Sequence, residues 1–290
     1  PLAKHGFAKE RVVFLPDGDL HAVPFAALRD SASRRHLIEV ATVSVAPSAT
    51  LFVYSWLRDQ AMPRERAPRA LLLGDPEFDD EAFGARGLKR LPAAAAEVDT
   101  IAENYENARV FVGPDATHAR FGEHAGKSAV IHIGAHAIAN PNDPEESLLL
   151  LAREGDDTGA ITARELLPSK SLQYTRLVVL AACGSAGGVP LGSLGLGPLV
   201  RPFLSAGAPA VVGALWNVKE SSAARFSKAF HGYYRQGDDA ARAARQAQLE
   251  MLGSNSAIHR SVLAWAPFQV IGYASSPVGD APSAAQRRKR

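Results

Sequence analysis

The chain has 290 residues, 47% of them hydrophobic, with 32 Lys and Arg against 30 Asp and Glu. That length fits one large domain or two modest ones, each able to bury a core. The near-neutral charge gives no reason to expect nucleic acid or an anionic membrane as a partner. A single cysteine excludes an intrachain disulfide, fits a reducing, cytoplasmic setting and leaves its own chemistry to be explained. The chain opens PLAKHGFAKE, without the apolar run of a signal peptide, and starts at Pro1 rather than Met. It is therefore expected to belong to something longer, with a further amino-terminal repeat or regulatory domain. No apolar run reaches the roughly 18 residues needed to span a bilayer.

In chain order, residues 11–28 (RVVFLPDGDLHAVPFAAL) place two apolar runs around Asp17-Gly18, a hairpin-like signal. Residues 37–45 (LIEVATVSV) alternate as a strand, and Ser48 is placed to cap a helix over ATLFVYSWL. Residues 59–69, with two prolines and three arginines, read as a linker or exposed loop. Beyond them the pattern becomes regular. Arg69–Gly74, Ala108–Val112, Ala129–Ile133, 177–182, 209–216 and Trp265–Tyr273 read as strands. Helices are expected after Pro92, over 116–125, after Pro198, after Ser221 or Ser222, and from Asp238 or Asp239 to about Leu252. Residues 274–290 end in QRRKR and read as a disordered tail. Apolar strands alternating with amphipathic helices predict an α/β fold, its mostly parallel sheet covered on both faces. In such sheets the chemistry gathers at the carboxyl ends of the strands.

Two strands end in reactive side chains, one in IHIGAH, closing on His136, the other in VVLAAC, closing on Cys183. If these strands are neighbours, His136 and Cys183 meet above the sheet. A free thiol with a pKa near 8.5 needs an adjacent imidazole to raise its thiolate fraction, and the same imidazole can protonate a leaving amine. The Gly-rich run after Cys183 lets backbone N–H groups, that of Cys183 first, face a developing oxyanion. The bland alternative is that a lone cysteine closing an apolar strand is inert packing. His132 is the rival base, but it lies inside its strand between Ile131 and Ile133 and reads as a packed or hydrogen-bonded histidine. The run G192-S-L-G-L-G197 does not match a phosphate-binding fingerprint, and with one cysteine no metal site is expected.

The blocks VVFLPDGDLHAVPFAAL, LLLGDP, LPAAAAEV, FVGPDAT, VIHIGAHA, ESLLLLA, ITARELL, LVVLAACGSAGG, SAGAPAVVGALWNVKE and WAPFQVIG, in this order, resemble the CHAT family of caspase-like peptidases. These often stand at the carboxyl end of TPR-repeat proteins in bacteria, and are more distantly similar to separase, gingipain and the caspases. The caspase signature Gln-Ala-Cys followed by Arg, Gln or Gly and then Gly, with a His about 50 residues upstream, is met at Ala182-Cys183-Gly184. Ala181 and Ser185 replace its outer positions, so the chain is not a caspase proper.

The resemblance implies a three-layer α/β/α sandwich with a mostly parallel six-stranded sheet over residues 68–275. An amino-terminal half, residues 1–67 (hairpin, strand, helix), would pack on it, and a tail, 276–290, would follow. It implies a cysteine endopeptidase without cofactor, His136 and Cys183 as its catalytic dyad, and a protein substrate, with roles in bacterial defence or regulated cell death and gasdermin-like or CRISPR-associated targets among those of the family. Ala137 stands where the family usually has Gly, with its backbone N–H still available to an oxyanion. Gly184 and Ser185 stand where an acidic residue and Thr are frequent. In substrate binding, Ala181 replaces the Asp that some relatives use for a basic P1 side chain. Glu220 matches in type an acidic position that separase uses for P1 Arg; its structural alternative is support of a helix amino terminus. The competing function is an inactive scaffold that binds its partner through the same cleft, and a third is a small-molecule hydrolase or acyltransferase on the same dyad.

Overall fold

The computed structural model describes residues 11–64, 67–79, 81, 83, 88–140, 142–166, 172–181 and 197–276. The chain begins with β1 (Arg11–Phe14) and continues through 3-10 turns at Gly18–Ala22 and Phe25–Ala27. Next come α1 (Leu37–Val40), β2 (Thr42–Val45), α2 (Ala49–Ala61) and β3 (Arg69–Gly74). Then follow α3 (Pro92–Ala102), β4 (Asn107–Val112), α4 (His118–His124), β5 (Val130–Gly134), β6 (His136–Ile138), β7 (Leu148–Leu150) and β8 (Ala160–Thr162). The chain closes with α5 (Ala163–Leu166), β9 (Leu177–Leu180), α6 (Gly197–Ser205), β10 (Ala210–Ala214), α7 (Glu220–Arg235), α8 (Ala240–Leu252), α9 (Ala257–Arg260), α10 (Val262–Trp265) and β11 (Phe268–Gly272).

Eight strands form one sheet in the order β1-β2-β11-β10-β9-β5-β3-β4. Every neighbouring pair is parallel except β10 with β11, where the direction reverses. Six of these strands come from residue 69 onward, and the amino-terminal residues add β1 and β2 to the same sheet. Side-chain alternation along the central strands divides the core in two. Ala70, Leu72, Val130, Leu177 and Val179 face α3, α7 and α8, with Val98, Phe226, Phe230 and Ala244. Leu71, Leu73, Ile131, Ile133, Val178 and Leu180 face the other layer, with Phe121, Phe203 and Leu204. The result is the three-layer α/β/α sandwich.

Two glycines close the strands beneath the site. A Cβ on Gly74 would lie 2.7 Å from Ala94 O, and one on Gly134 would lie 2.9 Å from Ala94 Cβ. The start of α3 therefore crosses directly over the ends of β3 and β5, an approach open to glycine alone.

Several segments differ from the sequence expectation. The second half of the expected hairpin is not a strand. Asp17 accepts from Gly18 N at 2.9 Å and caps a 3-10 turn, Pro24 lacks an N–H, and Phe25 instead stacks on Phe14 at 4.0 Å. Residues 37–40 form α1 rather than strand, because the Glu39 carboxylate accepts from His36 N at 2.6 Å and Arg245 takes the Ile38 and Glu39 carbonyls. Trp265 belongs to a short helix, and the last strand starts only after Pro267.

The expected linker at 59–69 begins inside α2 with a buried ion cluster. Asp59 is 1% exposed and takes Arg176 at 2.6 Å, Arg64 at 2.6 Å and Ser275 Oγ. Residues 140–158 contain β7, which with β6 and β8 forms a separate three-stranded antiparallel sheet. The expected tail lies outside the described residues from 277 onward, whereas Ser275 is buried.

Candidate active site

β5 and β9 are adjacent and parallel, with Ile133 opposite Leu180. Ala181 N donates to Ile133 O at 2.9 Å, so the two chains leave the sheet side by side. One continues through Gly134 and Ala135 to His136; the other continues through half-buried Ala181 toward Cys183. Cys183 itself, its backbone N–H, Gly184, Ser185 and the Gly192–Gly197 run up to residue 196 lie outside the described residues.

His136 opens β6 and is 7% exposed. Its Nε2 lies 2.7 Å from Lys89 O. A carbonyl can only accept, so Nε2 carries the proton, and in the neutral ring Nδ1 is then the acceptor. Nδ1 is buried and makes no hydrogen bond among the described residues. Phe78 closes over the ring edge-to-face, 5.2 Å between centroids.

The Lys89 carbonyl is held in turn. Asp75 follows β3 in the left-handed conformation, φ 46°, which Asp tolerates better than most residues. Its buried carboxylate accepts from Leu91 N at 2.6 Å and from Arg90 Nε and Nη2 at 3.0 and 2.9 Å. Its own N–H donates to Gly134 O at 3.0 Å. The hydrogen bonds that Arg90 donates to the Asp75 carboxylate raise the Arg90 pKa above its ordinary value. Asp75, Phe78, Lys89 and Arg90 escaped the sequence reading. A backbone carbonyl has no sequence signature, and Asp75 was visible only as part of the LLLGDP block.

His132 is a different histidine in a different layer. It is fully buried on the α3/α7 side, with Nδ1 3.1 Å from His231 Nε2, and His231 Nδ1 meets Tyr105 Oη at 2.7 Å. Its Nε2 approaches Glu97 Oε1 at 3.2 Å without hydrogen-bond alignment. Burial first, and His132 second, push the His231 pKa well below its ordinary value, and burial raises that of Tyr105. All four groups of this chain are buried.

Ala137 sits in β6 opposite Leu149, its side chain buried. Glu220 is exposed in the first turn of α7, and among the described residues its carboxylate forms no hydrogen bond or ion pair. It follows β10, two strands from β5 and parallel to it, so it lies beyond the same, carboxyl end of the strands as His136. Among the described residues no group of three or more His, Cys, Asp or Glu could hold a metal ion, and no helix is long and apolar enough to cross a membrane.

Comparison with known proteins agrees with this architecture. Tetratricopeptide repeat protein 28 of Mus musculus is 26% identical over 94% of the chain, and that of Homo sapiens is 23% identical over the same share. The chain spans only 12% of either relative's length. Among solved structures, the Saccharomyces cerevisiae separase–securin complex matches 92% of this chain and 15% of that one at TM-score 0.58 and 12% identity. The Arg specific cysteine proteinase gingipain R matches 82% of this chain and 55% of that one at TM-score 0.52 and 11% identity. These neighbours share the caspase-like fold. The CHAT domain profile matches residues 1–273, and the chain belongs to the CHAT domain family.

Proposed function

We propose that the chain is a cysteine endopeptidase that cleaves a partner protein, with Cys183 as nucleophile and His136 as general base and acid. The observation that carries this reading is the state of His136. Its Nε2–H is spent on Lys89 O, and among the described residues its buried Nδ1 acceptor has no hydrogen-bond partner. In sequence Cys183 stands two positions after Ala181, whose N–H pairs with Ile133 O at the end of the strand that leads to His136, and that adjacency supports the pairing of the two groups.

In this reading Nδ1 takes the thiol proton and the thiolate adds to the peptide carbonyl carbon. The Nδ1 proton then passes to the leaving amine as the C–N bond breaks, and water hydrolyses the resulting thioester. The Cys183 and Ala137 N–H groups are assigned to the oxyanion. Ala181 and Glu220 are assigned to the P1 pocket, where an acidic Glu220 favours Arg or Lys. The CHAT resemblance adds bacterial defence or regulated cell death as the setting, the cytoplasm as location, and gasdermin-like or CRISPR-associated proteins as substrate classes.

The test is a peptide-library cleavage profile of the wild-type chain beside Cys183→Ala, His136→Ala and His132→Ala. Cys183→Ala is expected to abolish cleavage, and His136→Ala to lower it about 10²–10⁴-fold. His132→Ala should act through stability alone. Cleavage within tenfold of wild type by Cys183→Ala refutes the nucleophile. Lack of cleavage, together with no labelling of Cys183 by a peptide electrophile, returns the chain to the scaffold reading.

A further inference from the structure

We infer that Asp75 is a positioning residue that sets the tautomer of His136 without touching it. The inference rests on the reading of His136 as the base. It adds the device that makes Nδ1, and not Nε2, the free acceptor.

A neutral imidazole in water exchanges its proton between the two nitrogens, and a base is useful only when the correct one is bare. Here the choice is made by the Lys89 carbonyl, 2.7 Å from Nε2. That carbonyl belongs to the residues just before α3, where Leu91, at the amino-terminal cap position, has no side chain able to cap the helix. Its place is fixed from outside the segment, by the Asp75 carboxylate. One oxygen accepts from Leu91 N and Arg90 Nε at 2.6 and 3.0 Å, and the other accepts from Arg90 Nη2 at 2.9 Å. Arg90 Nη2 also reaches the Asp75 carbonyl at 3.2 Å, so the guanidinium grips both ends of the same residue.

Asp75 is in turn registered against the strand that carries the histidine. Its N–H donates to Gly134 O at 3.0 Å, and Gly134 stands two residues before His136. One buried residue, in the left-handed conformation, thus fixes both partners of the Nε2–H···O bond. A charged, forked pairing of this kind holds direction as well as distance. Capping of α3 alone needs one acceptor at Leu91 N; the fork to Arg90 and the bond to Gly134 serve the separation of Lys89 from His136.

The experiment reads the imidazole directly. Nitrogen-15 NMR of the histidine side chains, with His136→Gln to assign the resonance, is recorded for the wild-type chain, Asp75→Ala, Asp75→Asn and Arg90→Ala under conditions where His136 is neutral. Wild type is expected as the Nε2–H form only, and Asp75→Ala as a mixture. Asp75→Asn, which keeps an acceptor for Leu91 N, should lie between them. Arg90 is half exposed, so Arg90→Ala keeps the fold should Asp75→Ala lose it, and it is expected to shift the mixture in the same direction. In peptide cleavage these changes should lower kcat at least tenfold with KM nearly unchanged. A folded Asp75→Ala or Arg90→Ala chain in which His136 remains wholly in the Nε2–H form overturns the inference. The NMR reading holds whether or not the chain cleaves peptides, so failure of Asp75 and failure of the peptidase reading are told apart.

Discussion

Replacing Asp59 by Ala tests how the amino-terminal residues are fastened to the sheet. Asp59 and Arg176 are 1% and 2% exposed and approach to 2.6 Å, and Asp59 also binds Arg64 and Ser275. Removing the carboxylate leaves Arg176 buried with only neutral partners, among them the Met62 and Pro63 carbonyls at 2.7 and 2.9 Å and Ser275 Oγ at 3.3 Å. Burial and then Arg64 already press against the charged form of Arg176, lowering its pKa, so the loss is not absorbed locally. Breaking a buried pair from one side costs about 3–5 kcal/mol. At about 2–4 °C per kcal/mol for a chain of roughly this size, the midpoint should fall by about 6–20 °C in a thermal melt followed by circular dichroism. The comparator is Arg164→Ala, which removes an exposed cluster with Asp143, Glu145 and Glu146 and should cost less than about 1 kcal/mol. Equal midpoints for the two variants would refute the reasoning, since burial is the only ground for separating them.

His231 is held neutral in the folded chain, its pKa well below the ordinary 6.5, so the unfolded chain gains a proton first as pH falls. Stability should be level above about pH 7 and decline below about 6.5, and a denaturant series showing the same decline for His231→Gln would contradict this. Gly134→Ala places a Cβ 2.9 Å from Ala94 Cβ and should cost about 1–3 kcal/mol through overpacking; a neutral denaturation midpoint would deny the close crossing of α3. Glu220→Gln should lower cleavage after Arg or Lys at least tenfold, about 1.4 kcal/mol; an unchanged P1 profile would leave Glu220 with only the helix amino terminus to serve.

The central strands and long helices were legible because each carries its own period. Arg69–Gly74 and 240–252 fold as read, and Asp239 caps α8 by accepting from Ala241 and Arg242 N. Legibility failed where tertiary partners decide. Residues 37–40 carry a strand pattern, yet Glu39 and a guanidinium 206 residues away turn them into helix. Three-residue strands such as β6–β8 are too short to show alternation. At the site, His136 was readable from its place at a strand end. Its tautomer was not, because that depends on a main-chain oxygen 47 residues earlier in sequence.

The position of the polar groups along the sheet sets a buried anchor apart from the candidate site. Arg176 stands immediately before β9 and Ala181 immediately after it, five residue steps apart, about 17 Å at 3.3 Å each. The Asp59 cluster therefore locks the end of the sheet where β9 begins, and His136 stands at the end where it leaves. Between them lies the His132–His231–Tyr105 chain, buried on the α3/α7 face. The amino-terminal residues reach the same sheet by a second route, through β2 against β11 and Gln269 Nε2 on Val23 O at 2.9 Å. They are fastened by backbone pairing on one side and by a buried ion pair on the other, both on structure that His136 does not use. The anchor is thus separated from the histidine by the length of a fully buried strand, whereas Asp75 reaches it through two hydrogen bonds.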